Sequence, residues 1–103
     1  MDADGPWDDI PTAGDLAANR WLKVNVISPS ASAFEGTATA VVAPAHDGQV
    51  GILHGHAPMV VLLGTGKLRV SSVDGETSLH VSRGFLQVVD DEVTVLAEEV
   101  EIL

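Results

Sequence analysis

Asp47-Gly48-Gln49-Val50-Gly51-Ile52-Leu53-His54-Gly55-His56-Ala57-Pro58-Met59 holds three glycines, two histidines and a proline, with apolar runs on both sides. Glycine admits tight turns and close backbone approach. Pro58 fixes its own φ and pushes Ala57 toward extended geometry. The segment therefore reads as strand, constrained loop, strand, and a loop so constrained is built to present something.

The chain around it has the same texture. Leu22, Val24 and Val26 alternate with Lys23 and Asn25, the period-two pattern of a half-buried strand. Ile27-Ser28-Pro29-Ser30 closes it as a turn. A second extended region runs from Phe34 through Thr37 to Ala43 and is rich in β-branched residues. Pro44 to Gly48 is a turn cluster. Short strands follow at Val50 to Leu53 and Met59 to Leu63, and Gly64-Thr65-Gly66 turns the chain. Lys67 to Ser71 alternates again, and Asp74-Gly75 is a hairpin signal. Thr77 to Ser82 returns, Arg83-Gly84 interrupts, and Phe85 to Val89 continues. Asp90-Asp91-Glu92 forms an acidic turn before Val93 to Leu96. Ala97 to Leu103 reads as a final strand or as a frayed tail. The expectation is all-β: a flattened two-sheet sandwich of about eight to ten short strands over residues 21–103. Residues 1–20, rich in acids, Gly, Pro and Ala, read as an acidic mobile arm.

Composition excludes several classes of function. With 103 residues the chain makes one domain with one core. Without cysteine there is no disulfide scaffold, thiolate metal site or cysteine nucleophile. Neither a signal-peptide pattern nor an apolar run of membrane-spanning length is present. Fifteen acidic against five basic residues, a net charge of −10, disfavour nucleic acid and anionic lipid as partners. The acids are read as a solvating surface, with a basic docking partner as the sharper alternative.

No motif makes a persuasive active site. A Gly-x-Ser-x-Gly elbow is absent, and Gly64-Thr65-Gly66-Lys67 is too short for a phosphate cradle. The carboxylate pairs Asp90-Asp91 and Glu98-Glu99 read as solvated turns and edges. His54 and His56 could meet one ion if both lay on a strand. A third ligand would have to come from His46, His80 or a distant carboxylate. Hydrogen bonds or partner contacts from a loop are the better reading. No metal and no cofactor are expected.

Five segments together resemble a known family. They are Phe34-x-Gly36, Gly48-x-x-Gly51-Ile52-x-x-Gly55-His56-Ala57-Pro58, Gly66-x-Leu68-Arg69-Val70, Ser82-x-Gly84-Phe85-Leu86-x-Val88 and Val93-Thr94-Val95-Leu96-Ala97-Glu98. In this order and spacing, over about Trp21 to Val100, they resemble the N-terminal domain of the epsilon subunit of F-type ATP synthases. The resemblance implies a flattened β-sandwich and a non-catalytic place in the rotating central stalk, coupling the proton- or sodium-driven c-ring to gamma and the catalytic head. The implied partners are the gamma subunit and the c-ring. The implied location is peripheral, on the cytoplasmic face of the inner membrane, without lipid insertion. It also implies contacts to gamma and the ring from Ser28, Asp47, Gln49, His54, His56 and Pro58. The family often has an acid at the position of Gln49, and Asp47 can take that role. The family's helical hairpin would begin where this chain stops, so the expectation is that hairpin-dependent inhibition of ATP hydrolysis and ATP binding are missing. The alternative function is a free-standing sandwich that binds a ligand or metal through the His54/His56 loop.

Overall fold

The computed structural model describes residues 21–30 and 32–103. The acidic arm expected over residues 1–20 lies outside the described residues. Eight strands follow one another: β1 (Leu22–Ile27), β2 (Ser32–Ala38), β3 (Ala40–Ala45), β4 (Gly48–Leu53), β5 (Met59–Leu63), β6 (Gly66–Ser72), β7 (Gly75–Val89) and β8 (Glu92–Ile102). All strand pairs are antiparallel except β1 with β8, which is parallel.

The all-β expectation holds, and the two layers come from one continuous sheet folded on itself. β7 is the backbone of that fold. Along one edge it pairs first with β6, from Gly75↔Ser72 to Val81↔Gly66, and then with β5, from Gly84↔Leu63 to Val88↔Met59. Along its other edge it pairs with β8 over nearly its whole length. Register is unbroken through both ladders, yet the inward-facing set changes parity half-way. Leu79 and Val81 are buried before the break, and Leu86 and Val88 after it. β8 switches from Val93, Val95 and Ala97 to Val100, which packs against the core. The β5–β6 run switches from Leu63 to Leu68 and Val70.

This shared switch is a crease across Gly64, Arg83 and Glu98. Arg83 has a φ of 58°, which resets the alternation without adding a residue. Gly84 is pressed against the neighbouring strand: a Cβ there would collide with the Leu96 carbonyl oxygen. At Gly64 a Cβ would meet the Ala45 carbonyl oxygen at 2.7 Å. Thr65 Oγ1 and Ser82 Oγ hydrogen-bond at 2.9 Å across the same line. One layer holds β2, β1, the first half of β8, the second half of β7, and β5. The other holds the second half of β8, the first half of β7, β6, β3 and β4.

A left-handed conformation costs an L-residue about 1–2 kcal/mol. Arg83 meets Glu98 at 3.5 Å and Glu99 at 3.6 Å, with all three side chains about two-thirds exposed. Such pairs contribute about 0–1 kcal/mol each. The ion pairs therefore roughly offset the backbone term in the free chain and no more.

The structure corrects several boundaries. The extended region from Phe34 to Ala43 is two strands broken at Thr39, whose amide donates to the Ser71 carbonyl. Pro44 and Ala45 belong to β3, and the turn is His46–Asp47 alone. Pro44 is tolerated there because its carbonyl, not its missing N–H, makes the bond, accepting from Gly64 N at 2.9 Å. In the β6–β7 hairpin the turn residues are Val73 and Asp74, with Gly75 (φ 138°) opening β7. Thr77–Ser82 and Phe85–Val89 are halves of one strand. Ala97 to Ile102 is strand, paired to β7 through Leu79↔Ile102.

Gly84→Ala is expected to destabilise the chain by more than about 3 kcal/mol, because the added methyl meets backbone that cannot yield. Gly51→Ala, with open space at its Cβ and no positive φ, is expected to stay within about 1 kcal/mol of the parent. Urea denaturation of the two variants side by side checks the crease.

Candidate functional site

Strands buried on one face alternate, but several strands here carry adjacent apolar pairs: Val26-Ile27, Leu62-Leu63, Phe85-Leu86 and Val95-Leu96. One member of each pair fills the core, namely Val26, Leu63, Leu86 and Val95. The other members point away from it, and the ladders bring them into one row. Ile27 pairs with Leu96, Leu96 with Phe85, and Phe85 with Leu62. The row crosses four strands on the outer face of the first layer. Leu62 is 60% exposed and Phe85 44%, a large apolar surface to leave in water.

A groove of about 510 Å³ runs along this row and is overwhelmingly apolar. Ser28 and Pro29 close one side, and Arg83 and Glu98 stand at its rim beside the crease. The next row of the same face is polar at Asn25, Thr94 and Gln87 but apolar at Val60, and the one beyond it sets Lys23 beside Glu92 and Glu92 beside Val89. On β1 and β8 the outer face thus grades from apolar at the crease to charged at the β7–β8 turn, while exposed Val60 and Val89 continue the apolar surface on the β5–β7 side.

The six residues expected to touch partners fall in three places. Ser28, half-buried at the end of β1, lies on the groove, and its Oγ is 3.4 Å from Ser30 Oγ. Asp47 occupies the exposed β3–β4 turn, and Gln49 is exposed on β4 opposite Pro44. That turn abuts the end of β5, since His46 N donates to the Leu62 carbonyl at 2.9 Å. His54, His56 and Pro58 lie in the loop that leads from β4 into β5. The loop meets β5 at Met59, and Met59 pairs with Val88 near the β7–β8 turn, away from the crease.

Asp91 fixes this loop. Asp90 and Asp91 both have positive φ, 51° and 63°, the geometry of a tight two-residue hairpin turn. Asp91 Oδ1 accepts from the Gly55 N–H at 2.7 Å, and Oδ2 lies 3.1 Å from His54 Nε2. The Asp91 carbonyl also accepts from Lys23 N at 2.8 Å. One residue ties the loop, the turn and β1 together. Gly55, with a φ of 84°, supplies the backbone form that the clamp needs. His56 Nδ1 lies 2.7 Å from the Ala57 carbonyl oxygen, and its amide donates to the Leu53 carbonyl. Each histidine thus has its own protein partner. Among the described residues no group of three His, Cys, Asp or Glu side chains could hold a metal ion.

Sequence reasoning missed the apolar row and Asp91. The adjacent apolar pairs were the signal for the first. The second had none, because only the fold brings the β7–β8 turn to the loop.

The architecture defines the class: a small β-sandwich with an outward apolar face. Residues 21–102 match the family described as "ATP synthase, Delta/Epsilon chain, beta-sandwich domain". The chain is 44% identical over 82 residues to an ATP synthase epsilon chain of Exiguobacterium sp., covering 79% of this chain and 60% of the relative. It is 38% identical over 79 residues to that of Dichelobacter nodosus, covering 76% and 55%. The chain belongs to the ATP synthase delta/epsilon β-sandwich family, and it spans about 60% of the length of these relatives. The fold superposes on a chain in the cryo-EM structure of the Euglena gracilis mitochondrial ATP synthase, described as OSCP/F1/c-ring, with a TM-score of 0.76 and 24% identity. That match covers 96% of this chain and 62% of the other.

Asp91→Ala removes both side-chain partners of the loop and is expected to cost about 1–3 kcal/mol. Faster hydrogen exchange at the Gly55 amide is expected to accompany it. Asp91→Asn keeps an acceptor for Gly55, so its loss should be smaller; nuclear magnetic resonance on the two variants measures both effects.

Proposed function

We propose that this protein is a non-catalytic subunit of the central stalk of an F-type ATP synthase. It packs on the gamma subunit and touches the c-ring, and so couples ring rotation to the catalytic head. It works at the cytoplasmic face of the membrane, peripherally and through the complex. It needs no cofactor of its own.

The observation that carries this reading is the apolar row Ile27–Leu96–Phe85–Leu62 on the outside of a sandwich whose family is that of the delta/epsilon chains. A core packed between two layers of one folded sheet is stiff enough to bear load. An apolar groove that continues across four strands suits the flank of an elongated partner such as gamma. Ser28 borders that groove, in keeping with its expected place on the gamma side. The tip at Asp47 and Gln49 and the clamped loop of His54, His56 and Pro58 are the contacts we assign to the ring and the base of gamma.

Purified chain is expected to bind a cognate gamma subunit one to one. Leu62→Asp, a change on the exposed face, should weaken that binding more than tenfold while the melting temperature barely moves. His56→Ala should weaken coupling in the reassembled enzyme without unfolding the chain. A chain that ignores gamma but gains thermal stability from zinc alone would belong to the ligand-binding reading instead.

A further inference from the structure

The apolar groove has one charged end, and its charges do not balance. Arg83 stands at the rim with Nε 3.5 Å from Glu98 Oε1 and a terminal nitrogen 3.6 Å from Glu99 Oε2. One guanidinium thus faces two carboxylates, which leaves a net charge of −1 in open solvent at the mouth of an apolar surface. A partner that covers the groove removes water from Arg83 and Glu98, which line it, and comes beside Glu99. Desolvating an unbalanced charge is costly, and a cation brought by the partner offsets it.

Two features show that the group is arranged rather than incidental. Glycine would serve the left-handed position without steric strain, yet the chain places an arginine there, where its side chain reaches both carboxylates across β8. The group also adjoins the apolar row directly, since Arg83 and Glu98 line the groove together with Leu62 and Phe85. The pattern required of the partner is therefore apolar side chains over the row and one basic side chain at the crease end. The net charge of −10 on this chain favours a basic partner surface as well.

We propose that Glu98 and Glu99, held side by side by Arg83, receive a lysine or arginine of the stalk partner, closing a cluster of two cations and two carboxylates at the edge of the apolar contact. This rests on the stalk reading above and assigns the crease end of the groove as the element that fixes the partner's orientation.

The test measures binding of the full chain to a cognate gamma subunit at low and high salt. Glu98→Gln/Glu99→Gln is expected to bind about tenfold more weakly at low salt, and its affinity should depend less on salt than that of the parent. Glu101→Gln, an exposed acid further along the same strand, should stay within twofold. Thermal melts should place all three chains within a few degrees of one another. Equal binding by the double variant and the parent overturns the proposal, as does an equal loss in Glu101→Gln, which would mark a generic charge effect. If Leu62→Asp abolishes binding while the double variant binds normally, only the proposed cluster falls. If the parent does not bind gamma, the stalk reading falls and this inference with it.

Discussion

β7, β8 and the β5–β6 run reverse the facing of their side chains along a single line, and everything else in the molecule is arranged about it. The reversal works only if all of them turn over at the same ladder positions, because their registers run through unbroken. Arg83 turns the chain over, Gly84 lets two backbones touch, and Gly64 makes room for the Ala45 carbonyl. Had one strand kept its alternation, its apolar set beyond the crease would have faced water, since a period-two pattern has no intermediate orientation. The close backbone approach at Gly84 is thus the constraint that lets one sheet become two layers with a common core.

The same line creates the exposed apolar surface. Beyond the crease, β5, β7 and β8 carry apolar residues on both faces, as strands covered on both sides do. The inner set packs in the sandwich. The outer set forms the row from Leu62 to Ile27, which nothing in this chain covers among the described residues. The loop of His54 and His56 sits at the other end of the same strands, where Asp91 holds it. Groove and loop are therefore the two ends of one stiff ribbon, a geometry suited to carrying load from one contact to another.

Much of this was legible in the residues. Period-two alternation in Leu22–Val26 and Lys67–Ser71 gave the strands, and Arg83-Gly84 stood out as an interruption. Its meaning was not readable locally, because the parity change from Val81 to Leu86 matters only when two neighbouring strands repeat it. Thr39 breaks an extended region that looks uniform by propensity, because its partner Ser71 is distant in sequence. Pro44 was read as a turn former, yet it sits in β3 where its carbonyl alone is needed. The apolar row was present in the doubled apolar pairs, but which pair stands beside which is a matter of register. Asp91 looked like a solvated acid, and its clamp on Gly55 exists only after the fold has closed.

The acidity of the chain gains a physical role from this arrangement. An apolar face of this size invites self-association, since two copies could bury their rows against each other. Each copy carries a net charge of −10, so such a pairing would bring two like-charged bodies together. The same charge would favour the approach of the basic partner proposed above. In that proposal charge and apolar surface act together: the one disfavours self-pairing over the groove, and the other holds the partner once it has arrived.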